Sequence, residues 1–483
     1  MEKEKTVKKP SLGLALLPVV FLVVALVLVL NENFLGAEDS PHFALISGAI
    51  FAAFIANRLG FTWKQIEDRI ISTISLSMQA ILILMTVGAL IGAFIIAGTV
   101  PTMIDYGLRI ISPGLFLVTA CLLCCIVSLA IGSSWSTAGT VGVALIGIAH
   151  GLGINPAIAA GAIVSGAYFG DKMSPLSETT NLAPAMAGSN LFDHIKHMLW
   201  TTGPALLIAL ALYGIIGMGH AGQSVDNAAV QGIFDAFGET FNISPLTLIP
   251  LFVIILIVVI KIPALPGLFI GIGSAALIAY ITQWGHYDGF ADMSAALIET
   301  MHFGFEAETG HEMVDSLINR GGLESMMWTV SLIMCAMCFG GIMEMSGCLE
   351  KIAETLLVYA KGTGSLVLVT IVSCLFINVL CADQYLAIVI PGRMYRKDYI
   401  RRGLDPKNLS RSLEDSGTLT SSLIPWNTCG AAMAGFLMVE TFAYAPYAFL
   451  NLLCPIIGVI LAFTGIGIAK LSDEDKARLL ASE

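Results

Sequence analysis

Apolar positions along this chain gather into runs the length of a membrane crossing, separated by short polar stretches. Residues 12–30, 42–57, 74–98, 115–131 and 200–219 are the clearest runs of the first half. About 20 apolar residues carry a helix across a hydrocarbon core, and an α-helix satisfies its own backbone groups in lipid. The pattern therefore predicts an all-α polytopic membrane protein. The alternating strands of roughly 10 residues that mark an outer-membrane barrel are absent from the sequence. Residues 100–111 are amphipathic and are expected along the membrane interface. Two polar interruptions break the pattern. Gly132-Ser133-Ser134-Trp135-Ser136-Thr137-Ala138-Gly139-Thr140 precedes the apolar run 141–151. Gly170-Asp171-Lys172-Met173-Ser174-Pro175-Leu176-Ser177-Glu178-Thr179-Thr180-Asn181 lies between the small, apolar flanks 157–169 and 182–188.

The second half resembles the first, displaced along the chain. Leu16-Leu17-Pro18 is matched by Leu248-Ile249-Pro250, and Pro41 with Gly48 by Pro266 with Gly273. Further on, Pro156 falls on Pro406, Pro175 on Pro425, Gly114 on Gly364 and Cys124 on Cys374. Pro204, Gly214 and Ile215 correspond to Pro455, Gly465 and Ile466. Charge placement gives an independent check, because basic flanks stay in the cytoplasm. Lys3, Lys5, Lys8 and Lys9 put the N-terminus inside, Glu32, Glu38 and Asp39 suit the outside, and Arg58, Lys64 and Arg69 return to the inside. His194, Lys196 and His197 read as interfacial residues at the inner end of a crossing. Asp288, Asp292, Glu299, Glu306, Glu308, Glu312, Asp315 and Glu324 form an outer acidic stretch that reads as a solvated linker. Arg393, Arg396, Lys397, Arg401, Arg402 and Lys407 then lie inside, as do Lys470 and Lys476 near the C-terminus.

Each half thus makes an odd number of crossings, and the repeats are inverted. In that architecture the binding site lies near the midplane, where broken helices of the two halves meet. The expected organisation is an N-terminal repeat 1–222, a linker 223–243 and a C-terminal repeat 244–483 with an outer acidic loop 285–325 and a cytoplasmic tail. Counting discontinuous and re-entrant pieces, the expectation is roughly 11–14 membrane segments.

Composition fixes the solvent. Hydrophobic residues make up 56% of the chain and charged residues 12%, against about 25% charged in a globular domain. Mean hydropathy is +0.84, and the 48 glycines suit close helix packing and broken helices. The net charge of −11 identifies no partner, because location matters more than sum. No glycine-rich nucleotide loop followed by Lys-Ser/Thr is found, nor a paired acid and histidine set outside the membrane, so neither an enzyme nor a nucleic-acid binder is indicated. The ten cysteines, including Cys335-x-x-Cys338 and Cys121-x-x-Cys124-Cys125, lie in apolar runs without histidine neighbours. They read as buried free thiols, with no metal cluster and no cofactor.

The 170–181 stretch carries the chemistry. A charged side chain at the bilayer centre is disfavoured by about 2.5–3.5 kcal/mol, so Asp171 and Glu178 need a partner, a cation or a proton. Pro175 removes a backbone donor and frees carbonyls on the preceding turn. Those carbonyls, with Ser174, Ser177, Thr179, Thr180 and Asn181, form an oxygen-rich shell of the kind hard cations favour. Lys172 is either a counter-ion or a side chain snorkelling to an interface. In the second half, Asp383-Gln384-Tyr385 falls on Ser133-Ser134-Trp135, and Pro425-Trp426-Asn427-Thr428 on Pro175-Leu176-Ser177-Glu178. Asp383 and Asp415 become candidates to face Asp171 and Glu178. For Asp415 the alternative is a surface pair with Arg411 at i and i+4.

The motif Gly170 to Ala183, with Asp193-His194-Ile195-Lys196-His197-Met198-Leu199, Ser422 to Gly430 and Tyr447-Ala448-Phe449-Leu450-Asn451, resembles the signature of the NhaC family of bacterial Na⁺/H⁺ antiporters. The resemblance runs nearly the whole chain. It implies an inner-membrane, multi-pass antiporter of the ion-transporter superfamily with both termini cytoplasmic, moving Na⁺ outward against H⁺. Na⁺ would be held by Asp171 and Glu178, which are shared with the proton. Asp383, Asp415, Ser133, Ser134, Ser174, Ser177, Thr179, Thr180, Asn181, Asn427 and Thr428 complete the candidate ion and proton ligands. Li⁺ is a further candidate ion, the lipid bilayer is the surrounding partner, and a homodimer is an open assembly. The alternative is a Na⁺-coupled organic-acid exchanger of the malate–H⁺/Na⁺–lactate type, with Arg411 as its candidate anion-binding residue.

Overall fold

Residues that start and stop helices recur about 250 positions apart, and the architecture follows from them. The computed structural model describes residues 8–30, 41–219, 227–260 and 262–482. Lys3, Lys5, Glu32, Glu38 and Asp39, and the first residues of the expected linker, lie outside the described residues. The described chain is helical throughout, with one isolated bridge between Leu404 and Lys470.

Asn155 caps the Pro156–Met173 helix and Asp405 caps Pro406–Leu413, each by accepting a backbone N–H with its side chain and each followed by proline at the first helical position. Ser133 and Asp383 cap the helices that begin at Ser134 and Gln384. Gly132 and Ala382, one residue earlier, both adopt the left-handed conformation, with φ 73° and 56°. Gly188 and Met438 do the same at the ends of Glu178–Ala187 and Thr428–Leu437, and Gly98 and Gly347 before the amphipathic Thr99–Ile110 and Cys348–Leu357. Local sequence thus builds the same set of breaks twice.

Packing carries the symmetry further. Pro41–Leu59 and Trp63–Leu76 lie against Met327–Met345, and Ala264–Thr282 and Phe290–Phe303 lie correspondingly against Met78–Ile96. Each repeat therefore wraps its early helices around the other's core helix. Among the described residues, eight helices are long and apolar enough to cross a membrane, or ten if two pairs bent by 85° and 89° are each one span. Broken segments such as Pro156–Met173 with Glu178–Ala187 fall outside that count.

Contacts at the helix ends sort the bundle into two faces. On one, Arg69 pairs with Glu344, Tyr395 Oη donates to the Ala353 carbonyl, Arg402 donates to the carbonyls of Ala360 and Gly362, and Leu471 N–H donates to the Gly403 carbonyl. On the other, Thr99 Oγ1 donates to the Thr247 carbonyl at 2.6 Å and Gln283 to the Ala97 carbonyl. The first face gathers the basic loops and the second the acidic stretch.

That acidic stretch is not a solvated linker. It forms the helices Phe290–Phe303 and Glu312–Ile318, with Met293, Leu297, Val314, Leu317 and Ile318 buried. Gly321 and Gly322 (φ 84° and 82°) tuck against Met78–Ile96, where Gly322 N–H donates to the Gly88 carbonyl at 2.8 Å. Gly88 and Gly92, one turn apart, leave the room for that approach. The apolar i, i+3 and i+4 positions among the acids are what the charge pattern concealed. The helix Asn227–Thr240 likewise occupies most of the expected linker.

Candidate functional site

The Pro156–Met173 helix ends where its last turn brings Asp171 against two other segments. Asp171 is only 7% exposed. Ser134 Oγ, on the turn that follows Gly132, donates to Asp171 Oδ2 at 2.6 Å, and Ser177 Oγ donates to Oδ1 at 2.6 Å. Gly132 permits this meeting, because a Cβ there would stand 2.8 Å from the backbone carbon of Leu176. The two interruptions read from the sequence are therefore in contact, tip to tip.

A cavity of about 460 Å³ opens at these tips. Asp171, Glu178 and Asp383 line it, with Ser133, Ser134, Ser136, Ser177, Thr179 and Thr428, and with Trp135, Gln79, Gln384 and Tyr385. Leu76, Ser77 and Ile262, beside helix ends on the basic face, also line it. Among the described residues no lysine, arginine or histidine lines it. Glu178 is held by Tyr385, whose hydroxyl donates to Oε2 at 2.5 Å, and more distantly by Gln79. Asp383 uses Oδ1 to cap its own helix through the Leu386 N–H at 2.9 Å. The three carboxylates do not converge on one point: among the described residues no three His, Cys, Asp or Glu side chains group as a metal cluster would. A cation at Asp171 would complete its shell from hydroxyls, carbonyls and water.

Several residues expected at the site turn their polar atoms elsewhere. Thr180 Oγ1 donates to the carbonyls of Asp171 and Lys172, both at 2.8 Å, and Asn181 Nδ2 to those of Pro175 and Ser177. Ser174 Oγ accepts from Leu176 N–H, and Asn427 caps its helix while donating to Asn378. Each binds the loop that frames the cavity. The carbonyls freed by Pro175 are largely taken by this local bonding.

Lys172 and Asp415 form a second, fully enclosed cluster. Lys172 is 0% exposed and its ammonium pairs with Asp415 across the repeats. Lys172 therefore does not snorkel. Asp415 does not form the surface pair with Arg411 either: Thr201 Oγ1 donates to it at 2.8 Å, while Arg411 Nη1 donates to the Gly467 carbonyl at 2.9 Å. Neither Asp415 nor Arg411 lines the cavity. His194 and His197 are also not interfacial. Both are buried, His194 Nδ1 lying 2.8 Å from Ser410 Oγ and His197 Nε2 3.2 Å from Asn408 Oδ1. Glycine and small polar residues let the second repeat approach that helix end, and burial follows from assembly of the repeats.

The sequence reading passed over Glu414, Tyr385, Gln79 and Thr201 as site residues. Glu414 could have been found as one of two adjacent acids in a stretch of small polar residues. The other three act through contacts between distant segments.

Inverted halves, helices broken at the centre and carboxylates facing a cavity there define a secondary transporter. A family model for the Na⁺/H⁺ antiporter family matches residues 166–466. The Na⁺/H⁺ antiporter NhaC of Alkalihalophilus pseudofirmus is 39% identical, over 96% of this chain and 98% of its own. The arginine/ornithine antiporter ArcD of Halobacterium salinarum is also 39% identical, over 95% and 93%. The malate-2H⁺/Na⁺-lactate antiporter of Bacillus subtilis is 36% identical, over 92% and 94%. The chain belongs to the Na⁺/H⁺ antiporter family.

Proposed function

We propose that the protein exchanges cytoplasmic Na⁺ for external H⁺ by alternating access, with Asp171 as the carboxylate the two ions share. The observation that carries this is the cavity: three carboxylates, a wall of hydroxyls and no cationic side chain among the described residues. Such a lining attracts a cation and offers it hard oxygen ligands. Glu178 and Asp383 supply further negative charge at the same opening. The basic face is taken as cytoplasmic by the positive-inside rule, so the cavity opens inward and both repeats, 1–222 and 244–483, contribute to it. On this reading the cargo is Na⁺ and H⁺, and the exchange calls for no cofactor.

The named relatives include one that exchanges malate and lactate, which keeps Na⁺-coupled organic-acid exchange as the second reading. Arg411, its candidate anion ligand, lies outside the cavity lining, and that favours the simpler exchange. The test is the pH gradient across proteoliposomes after NaCl is added, with and without malate or lactate, for wild type and Asp171→Asn. Na⁺ alone should collapse the gradient in wild type and leave it in the variant. A gradient that moves only when an organic acid is present would establish the second reading instead.

A further inference from the structure

Glu414 stands behind the cavity, in the other repeat from Asp171, at 0% exposure. It begins a π-helical turn, Glu414–Thr418, within the broken segment that starts at Pro406. The corresponding positions of the first repeat, 164–168, are ordinary α-helix. The first repeat's own π-helical turn lies elsewhere, at Ala138–Gly142, so this one is not imposed by the shared fold, and such turns concentrate at functional sites. It sends two consecutive acids toward the first repeat: Asp415 to Lys172, and Glu414 to Thr179.

Thr179 Oγ1 donates to Glu414 Oε1 at 3.0 Å. A hydroxyl has one hydrogen, so the side of Thr179 Oγ1 that meets Ser177 Oγ at 3.1 Å presents lone pairs. Ser177 also has one hydrogen and directs it at Asp171 Oδ1, at 2.6 Å, so the two hydroxyl oxygens share no hydrogen bond. Glu414 therefore acts through position: by holding Thr179 in the first turn of Glu178–Ala187 it fixes where Ser177, two residues earlier, meets Asp171. Lys172, beside Asp171 in sequence, does not compete for Glu414 as a hydrogen-bond donor, its ammonium being turned to Asp415. Among the described residues, Glu414 Oε2 meets no donor in hydrogen-bond geometry.

We infer that Glu414 is a positioning residue for the cation site: through Thr179 and Ser177 it orients Asp171, and so lets the second repeat set the Na⁺ affinity of the first. This rests on the proposed Na⁺ site at Asp171. Residues that orient a metal's ligands change affinity by about 10–100-fold when lost.

The test is binding of radioactive Na⁺ to the purified full-length protein, alongside Na⁺/H⁺ exchange in proteoliposomes. Glu414→Ala and Thr179→Val should each weaken Na⁺ binding by about ten-fold, and the double variant by no more than the worse single. Glu414→Gln and Thr179→Ser, which keep an acceptor and a hydroxyl, should stay within about three-fold of wild type. Unchanged Na⁺ affinity in Glu414→Ala would overturn the assignment. So would a Glu414→Gln variant that binds Na⁺ normally yet exchanges no protons, since Glu414 would then carry the proton itself. Wild type that binds Na⁺ but moves no protons would refute the antiport reading and leave the positioning result legible from binding alone.

Discussion

Breaking the Lys172–Asp415 pair should destabilise the protein more than any change on the cavity wall. Both side chains are enclosed, at 0% and 1% exposure, and they join the first repeat to the second. Asp415→Asn preserves shape and leaves an oxygen for the Thr201 hydroxyl, so charge is what it removes. An ammonium then remains buried without its paired carboxylate, Glu414 being the acid left near it, and breaking a buried pair costs about 3–5 kcal/mol. Lys172→Met is the milder change, because Asp415 keeps the Thr201 hydrogen bond and Arg411 lies one turn away on the same helix. Its cost should be about 1–3 kcal/mol, the scale of losing a hydrogen bond to a charged group. Combining the two removes both charges, and the double variant should be more stable than Asp415→Asn alone. Chemical unfolding in mild detergent across the four proteins measures this, with a coupling energy of at least about 2 kcal/mol expected. Additive single effects, or an Asp415→Asn loss below about 1 kcal/mol, would refute the argument.

Two other perturbations test the framework around the site. Gly132→Ala strains a left-handed residue by about 1–2 kcal/mol and drives a Cβ into the Leu176–Ser177 backbone; exchange should fall with the loss of tip contact, whereas Ala382→Gly, at φ 56°, should leave stability unchanged or raised in the same unfolding assay. Gly88→Val places side-chain atoms where Gly322 and Met326 now pack, so residues 304–325 should become sensitive to protease from the acidic face while the Pro156–Met173 segment stays protected.

Much of the fold was legible because the breaks are written in residues with few conformational alternatives. Proline after a capping Asn or Asp, and glycine at a left-handed position, announce a helix end wherever they occur. Pro156 fell on Pro406 in the sequence without tertiary context, and both open capped helices. Asp171 was legible for a related reason: an acid between apolar flanks must be compensated. What stayed hidden was which compensation each charge receives. Lys172 and Asp171 are adjacent, yet they face different surroundings, because successive helical residues point about 100° apart. The pairing of Lys172 with Asp415 depends on how the repeats dock, and no spacing within either repeat encodes it. The acidic stretch before Met326 misled for the opposite reason, its charges outweighing the buried Met293, Leu297 and Ile318 that pin it down.

The symmetry of the backbone makes the asymmetry of the chemistry informative. At the same offset, Asp171 corresponds to Ser421, Glu178 to Thr428 and Asp383 to Ser133. The pair Lys172–Asp415 corresponds to Ser422 and Ser165, two hydroxyls, and Ser422 Oγ there accepts from Asn451 Nδ2 at 2.9 Å with no charge involved. One copy of the fold's internal contact is thus neutral and the other ionic. Had both repeats carried equivalent sites, two shallow cation sites related by the inversion would be expected. Instead the first repeat supplies Asp171 and Glu178, while the second supplies Asp383 at the cavity and Glu414 and Asp415 behind it. The proposed site is single and asymmetric, and it draws on both halves. On the proposed reading, a cation bound at Asp171 would act on the contact between the repeats, the contact that alternating access would remake.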